Sequence, residues 1–143
     1  MKLASLLCLL LILTAISGCT SEKDADDHKP AMFIQQPVEG AQLNTADEFH
    51  IELHVSDDIG LDHCVVSLNY AEQHKSDAHD DEPWTYNETF MCSGKKEFTI
   101  HEHLIIPDTI GHAPTSHGLY QFKATCIDMA GNQITDIIHF SIK

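Results

Sequence analysis

Short runs of alternating apolar and polar residues are the feature that most constrains this chain. In the run Glu48–Val55 the apolar residues occupy one phase and the polar residues occupy the other. Successive side chains of an extended strand point to opposite faces, so such a run predicts a β-strand with one buried face. Runs of the same kind cover residues 31–37, 64–68, 84–92, 97–106, 119–127 and 134–142.

Turn-forming residues separate these runs at short intervals, and no segment after the N-terminal region has helical periodicity. About seven short strands in this arrangement predict an all-β domain, an immunoglobulin-like antiparallel β-sandwich over residues 31–143. The runs 84–92 and 97–106 flank Ser93–Lys96, a short connection that contains glycine. We therefore expect these two strands to pair as a hairpin.

The N-terminal region predicts export rather than folding. Lys2 precedes an apolar run, Leu3–Ile16, which is typical of a secretory signal peptide. The sequence Ile16-Ser-Gly-Cys19 resembles the lipobox of bacterial lipoproteins, which implies a signal peptide over residues 1–18 and a lipid on Cys19 as membrane anchor. Residues 19–30 are polar and acidic and predict a tether. Thr20 at the second position favours the bacterial outer membrane, with the domain facing the periplasm or the cell surface.

The charge balance argues against a polyanionic partner. The sequence has 22 acidic residues against 8 basic ones, for a formal net charge of −14, and none of the basic residues is arginine. Nucleic-acid binding requires clustered Lys and Arg, so no nucleic-acid partner is expected. An acidic surface instead attracts cations.

Three cysteines remain after Cys8 leaves with the signal peptide and Cys19 is lipidated. An oxidising compartment favours one disulfide among Cys64, Cys92 and Cys126, with one thiol left over. Cys64 and Cys126 fall on the core-facing phase of their runs, which favours that pair. Cys64–Cys92 is the alternative.

Several motifs follow one another in a recognisable order. They are Asp57-x-x-Gly60-Leu61, a His/Asp loop before Trp84, His101-x-His103-x-x-Ile106-Pro107, Gly118-x-Tyr120-x-Phe122 and Asp128-x-x-Gly131-Asn132. The series resembles a family of histidine-rich, immunoglobulin-like bacterial lipoproteins that is known as a domain of unknown function. The resemblance implies an envelope lipoprotein and implies no particular activity.

The chain has 11 histidines, and imidazole is a common ligand of zinc and copper. On a strand, His101-x-His103 places two rings on one face about 6.6–7 Å apart at Cα, which allows both to approach one ion. The sequence therefore predicts a site for zinc or copper that includes these two histidines, and no organic cofactor.

Two ligand sets are compatible with this strand. In one, the loop before Trp84 folds over it and contributes His74, His79 and Asp80 or Asp81. In the other, His50, Glu52 and His54 lie beside it, because strands B and E are neighbours in an immunoglobulin sandwich.

Two further alternatives are a surface whose imidazoles titrate near pH 6.5 and a calcium site. The calcium site would use two turns at one end of the domain, with Asp57, Asp58, Asp128 and Asn132, residues that also suit turn hydrogen bonds.

No glycine-rich phosphate loop, nucleophile elbow or zinc-protease motif occurs, so the sequence predicts a protein without catalytic residues. The predicted function is transition-metal binding on a bacterial envelope, in scavenging or in delivery to an outer-membrane transporter. The alternative is a non-catalytic interaction module that serves as an accessory subunit of an envelope complex.

Overall fold

The computed structural model describes residues 26–71 and 81–143. Within these residues no helix is long and apolar enough to cross a membrane. The strands are β1 (Ala31–Gln36), β2 (Ala41–Leu43), β3 (Glu48–Ser56), β4 (Leu61–Tyr70), β5 (Tyr86–Met91), β6 (Glu97–Ile105), β7 (Thr109–Ile110), β8 (Ala113–Pro114), β9 (Gly118–Asp128) and β10 (Gln133–Ile142).

The strands form two sheets, and the predicted all-β sandwich is confirmed. One sheet has the order β1-β3-β6, and the other has the order β2-β10-β9-β4-β5. Neighbouring strands are antiparallel except β2 and β10, which run parallel. Strands β7 and β8 form a small separate ladder in the connection between the sheets.

The core lies between the sheets and is built from the apolar phase of each strand. Phe49 is 1% exposed and packs its ring 5.4 Å from Trp84 and 5.0 Å from Phe140, measured between ring centroids. Tyr120 is fully buried, and its hydroxyl donates a hydrogen bond to the carbonyl of Ser116 at 2.7 Å. A buried tyrosine that bonds back to the chain just before its own strand is the tyrosine corner of immunoglobulin-like sandwiches.

The predicted hairpin between residues 84–92 and 97–106 is wrong. Strand β5 pairs with β4 in the five-stranded sheet, whereas β6 pairs with β3 in the other sheet. Backbone hydrogen bonds from Leu61 to Lys95 and from Asp57 to Lys96 hold the connection against the start of β4 and the end of β3. A short glycine-containing connection serves a hairpin and a crossing between sheets equally well, so the local pattern does not distinguish them.

Cys64 and Cys126 face each other on the paired strands β4 and β9, with their Cα atoms 4.1 Å apart, and form a disulfide. The bridge therefore lies within one sheet. Cys92 is a free, buried thiol. Burial raises its pKa, and the nearby Asp62 carboxylate raises it further, so the thiolate is disfavoured.

Candidate metal centre

The histidines of interest lie on β3 and β6, which are neighbours in the three-stranded sheet. In their antiparallel register His50 is opposite His103, and Glu52 is opposite His101. Directly opposed residues of such a pair have Cβ atoms about 4.5–5.5 Å apart. The register therefore brings four polar side chains together on one face of the sheet.

The core residues of β3 determine which face this is. Phe49, Ile51 and Leu53 are at most 1% exposed and point between the sheets. His50 must point outward because side chains alternate along a strand. A shift of one residue would turn the apolar set to solvent, so packing of the core specifies the position of the histidine.

Strand β1 leaves part of β3 uncovered. Its pairing with β3 ends where Gln36 lies opposite Glu52, after which the chain turns towards the other sheet. Glu48 and His50 consequently border a shallow depression that Pro37 also lines. Their side chains remain accessible from solution.

Glu48, His50 and His103 form a close group on this face. Each offers one ligand atom, and these three atoms lie within 4.8 Å of one another. One carboxylate oxygen of Glu48 is 2.6 Å from His103 Nδ1, and the other is 3.0 Å from His50 Nε2. The two rings have centroids 4.2 Å apart. One carboxylate thus contacts two imidazoles that come from different strands.

These spacings are close to what a zinc ion requires. With donors about 2.0–2.1 Å from the metal, neighbouring donors of a tetrahedral site lie about 3.3 Å apart. To reach this spacing, the contact of Glu48 with His103 would need to lengthen by about 0.7 Å and its contact with His50 by about 0.3 Å. Two nitrogens and a carboxylate are a ligand set that suits zinc, and imidazole also suits copper.

His101 contacts His103 from the other side. Their Nε2 atoms are 2.9 Å apart, and their ring centroids are 4.8 Å apart. A single imidazole cannot direct both of its nitrogens at one ion. If His103 binds through Nδ1 beside Glu48, its Nε2–H donates to His101, an arrangement that fixes the tautomer and orientation of a ligand ring.

The electrostatics of the group favour an ionised carboxylate. Hydrogen bonds from His50, and then from His103, hold the pKa of Glu48 below its usual value. The carboxylate therefore keeps its charge when the solution becomes mildly acidic.

His54, which was also proposed from the sequence, does not join this group. His54 lies opposite Thr99, and its Nδ1 is 3.0 Å from the Thr99 hydroxyl. Four residues separate it from His50, about 13 Å along a strand, which is too far for a shared ion. Three predicted ligands, His74, His79 and Asp80, lie outside the described residues, as does Cys19.

Glu48 is the candidate ligand that sequence reasoning missed. It precedes His50 by two residues and so shares the outward face of β3. The same alternation that places His50 and Glu52 on the outward face also places Glu48 there. The sequence contains this signal, but only the register of β6 shows that Glu48, rather than His54, lies beside the paired rings.

The strand orders of the two sheets define an immunoglobulin-like or fibronectin III-like sandwich, with a histidine and glutamate group on the outer face of its smaller sheet. The chain belongs to the family described as domain of unknown function DUF4625, whose model matches residues 17–143. No curated protein matches the chain significantly.

Solved structures with similar folds belong to several different kinds of protein. The fibronectin(III)-like modules of Clostridium thermocellum CbhA are 13% identical over 79% of this chain and 96% of that chain, with a TM-score of 0.46. A mutant SrpA adhesin from Streptococcus sanguinis is 17% identical over 82% and 60%, with a TM-score of 0.48. A β-glucosidase from Listeria innocua is 14% identical over 80% and 16%, with a TM-score of 0.49. These similarities concern the fold alone.

Proposed function

We propose that this domain binds a divalent transition metal, zinc or copper, through Glu48, His50 and His103. The observation that supports the proposal is the convergence of one ligand atom from each residue within 4.8 Å. His101 supports His103 through the contact between their Nε2 atoms. Of the ligands proposed from the sequence, this set keeps His50 and His103 and leaves out Glu52 and His54. It adds Glu48, and His101 becomes a supporting residue rather than a ligand.

The site suits reversible loading. The side chains of Glu48, His50 and His103 are 49%, 41% and 46% exposed. Structural zinc sites are closed by four protein ligands, whereas three ligands on an open face leave a position for water or for a partner's ligand. We infer a carrier or scavenger that passes metal to another protein. Catalysis is not part of this proposal, because an open sheet face does not exclude water from a reacting group.

The proposed location follows from the N-terminal sequence. A lipid on Cys19 would attach the domain to the bacterial outer membrane, and an outer-membrane transporter would be a suitable recipient of the metal. Several buried acyl chains hold a protein stably on a membrane, since each buried methylene contributes about 0.8 kcal/mol.

A second candidate function is a non-catalytic interaction module in a cell-envelope complex. Exposed apolar residues favour it, because Phe33 and Ile105 are 64% and 63% exposed. Phe33 lies opposite His54, and Ile105 lies opposite Glu48, so they border the histidine face at its two ends. A partner that docks on this face would bury both side chains.

Metal titration tests the first proposal. The untagged full-length protein, in mild detergent to keep its apolar N-terminal segment soluble, is stripped of metal and titrated with zinc and with copper in a calorimeter. We expect one tight site per chain, lost in His50→Ala/His103→Ala. The matched control is His54→Ala/His139→Ala, which also removes two exposed histidines and should retain the site.

Two results would contradict the proposal. The first is an absence of zinc and copper binding to the wild-type protein at submillimolar concentrations. The second is an equal loss of binding in the two double variants, which would indicate weak association with many histidines. Either result would leave the interaction module as the better explanation of the exposed face.

A further inference from the structure

Three aspartates meet at the end of the sandwich away from the histidine group. Asp26 precedes β1, Asp57 follows β3, and Asp128 ends β9. Each offers one carboxylate oxygen, and the three oxygens lie within 4.8 Å of one another. Asp57 and Asp128 are 8% and 2% exposed, and the Asp26 side chain is 11% exposed. Segments distant in the sequence thus place a compact acidic group in a largely buried position.

Two oxygens of this group lack a hydrogen-bond donor. Asp57 Oδ1 accepts from the backbone N–H groups of Ile59 and Gly60 at 3.0 and 2.6 Å, and Asp26 Oδ1 accepts from that of His28 at 3.1 Å. Their Oδ2 atoms are buried and have no hydrogen-bond partner within residues 26–71 and 81–143. An ionised carboxylate that is buried without a partner is costly. A ligand that bound these two oxygens would therefore stabilise the group.

The negative charge of the group also favours a bound cation. Carboxylates this close repel one another, because their interaction is only weakly screened away from solvent. In the described part of the chain, no lysine forms an ion pair with them. The exposed ring of His28 lies beside the group, with its Nδ1 3.9 Å from Asp26 Oδ1. A divalent cation would satisfy the free oxygens and remove the repulsion together.

The turns around the group are already organised. Asp128 Oδ1 accepts from the backbone N–H groups of Ala130 and Asn132, both at 2.8 Å. The side-chain amide of Asn132 donates to Asp128 Oδ2 at 2.9 Å and to the backbone carbonyl of Asp26 at 3.1 Å. Gly131 has a φ of 94°, which a residue with a side chain rarely adopts. The aspartates are thus held in place before any ion binds.

We propose that Asp26, Asp57 and Asp128 form a calcium site that fixes the segment before β1 against the β3–β4 and β9–β10 turns. The donors on offer are all oxygens, which suits a hard cation and distinguishes this site from the histidine group. Calcium takes 6–8 oxygen ligands in flexible geometry, so water can complete the sphere. Magnesium demands a stricter octahedron and should bind less well. The ion would set the direction in which the chain enters β1.

Calcium-dependent thermal unfolding and calorimetric titration of the full-length protein test this proposal. With a dissociation constant of about 0.1–1 mM, as in extracellular modules, 10 mM calcium should raise the Tm by about 5–10 °C over that in a chelator. Asp26→Asn should abolish both the shift and the binding. Asp27→Asn is the matched control, because this neighbouring side chain is 91% exposed and lies outside the group.

Asp26→Asn is preferred to changes at Asp57 or Asp128 because it lies before the first strand and leaves the sandwich core intact. A wild-type protein without calcium binding would overturn the proposal. So would an equal calcium response in Asp26→Asn and Asp27→Asn, which would indicate nonspecific attraction to an acidic surface. A Tm that changes with pH but not with calcium would show that a shared proton occupies the group instead. His50→Ala/His103→Ala should keep the full calcium response, so this proposal and the transition-metal proposal can fail separately.

Discussion

His50 and His103 lie opposite each other across the β3–β6 pair, and their ring centroids are 4.2 Å apart. The two residues are far apart in the sequence. The Glu48 carboxylate contacts both rings. Because two strands hold these side chains, the geometry of the group depends on the register of the sheet.

Glu48→Gln should weaken zinc binding by at least about tenfold, because an amide supplies neither the negative charge nor the donor strength of a ligating carboxylate. Competition with a coloured zinc chelator measures the change. Glu52→Gln is the matched control, since Glu52 also lies on the outward face of β3 but is opposite His101. Equal losses in the two variants would mean that only overall charge matters.

His101→Ala should weaken zinc binding by about 10–100-fold, the usual effect of losing a group that orients a ligand. The loss should be smaller than that in His103→Ala, which removes a ligand directly. His101→Gln should recover part of the affinity, since the amide can still accept a hydrogen bond from His103. If His101→Ala abolishes binding as completely as His103→Ala, then His101 is itself a ligand.

Zinc affinity should fall as the pH is lowered from 8 to 5, because imidazole binds metal only when neutral and ordinarily titrates near pH 6.5. Glu48 should not contribute to this fall. Its pKa lies below the usual value, chiefly through the hydrogen bond from His50. A carboxylate shifted in this direction contributes stability above its unfolded-state pKa of about 4.3 and loses it only as the pH falls through the lower folded-state value.

Calorimetry between pH 5 and 8, in buffers with different ionisation enthalpies, measures both the affinity and the protons released. We expect the midpoint of the affinity loss to fall in the ordinary titration range of imidazole, about pH 6–7. A midpoint near pH 4 would assign the dependence to a carboxylate and would contradict the role given to the imidazoles.

Removal of the disulfide with Cys64→Ala/Cys126→Ala should lower the free energy of unfolding by about 2–4 kcal/mol, because the bridge closes a loop with a sequence separation of 62 residues. Urea unfolding measures this change. Cys92→Ala, which removes a buried thiol that is not bridged, should cost about 1 kcal/mol.

In the native wild type, Cys92 should react slowly with thiol reagents, because burial hides it and raises its pKa. Rapid labelling of Cys92 itself in the native chain, identified by mass spectrometry of the digested protein, would contradict this assignment.

The alternation of residues such as Phe49, His50 and Ile51 was enough to predict the strands, the class of fold and the outward direction of the histidines, because side-chain direction is a local property of an extended backbone. The hairpin between residues 84–92 and 97–106 could not be judged in this way, since a short turn does not reveal which sheet receives the next strand.

The composition of both proposed sites was decided by tertiary structure. Glu48 replaces His54 beside the rings because the β3–β6 register sets it there, and register depends on how the whole core packs. Asp26 meets Asp57 and Asp128 because the segment before β1 lies beside the β3–β4 and β9–β10 turns, where the Asn132 amide donates to the Asp26 carbonyl. The sequence by itself determined which chemical groups face outward, whereas contacts between residues far apart in the chain determined which of them share a site.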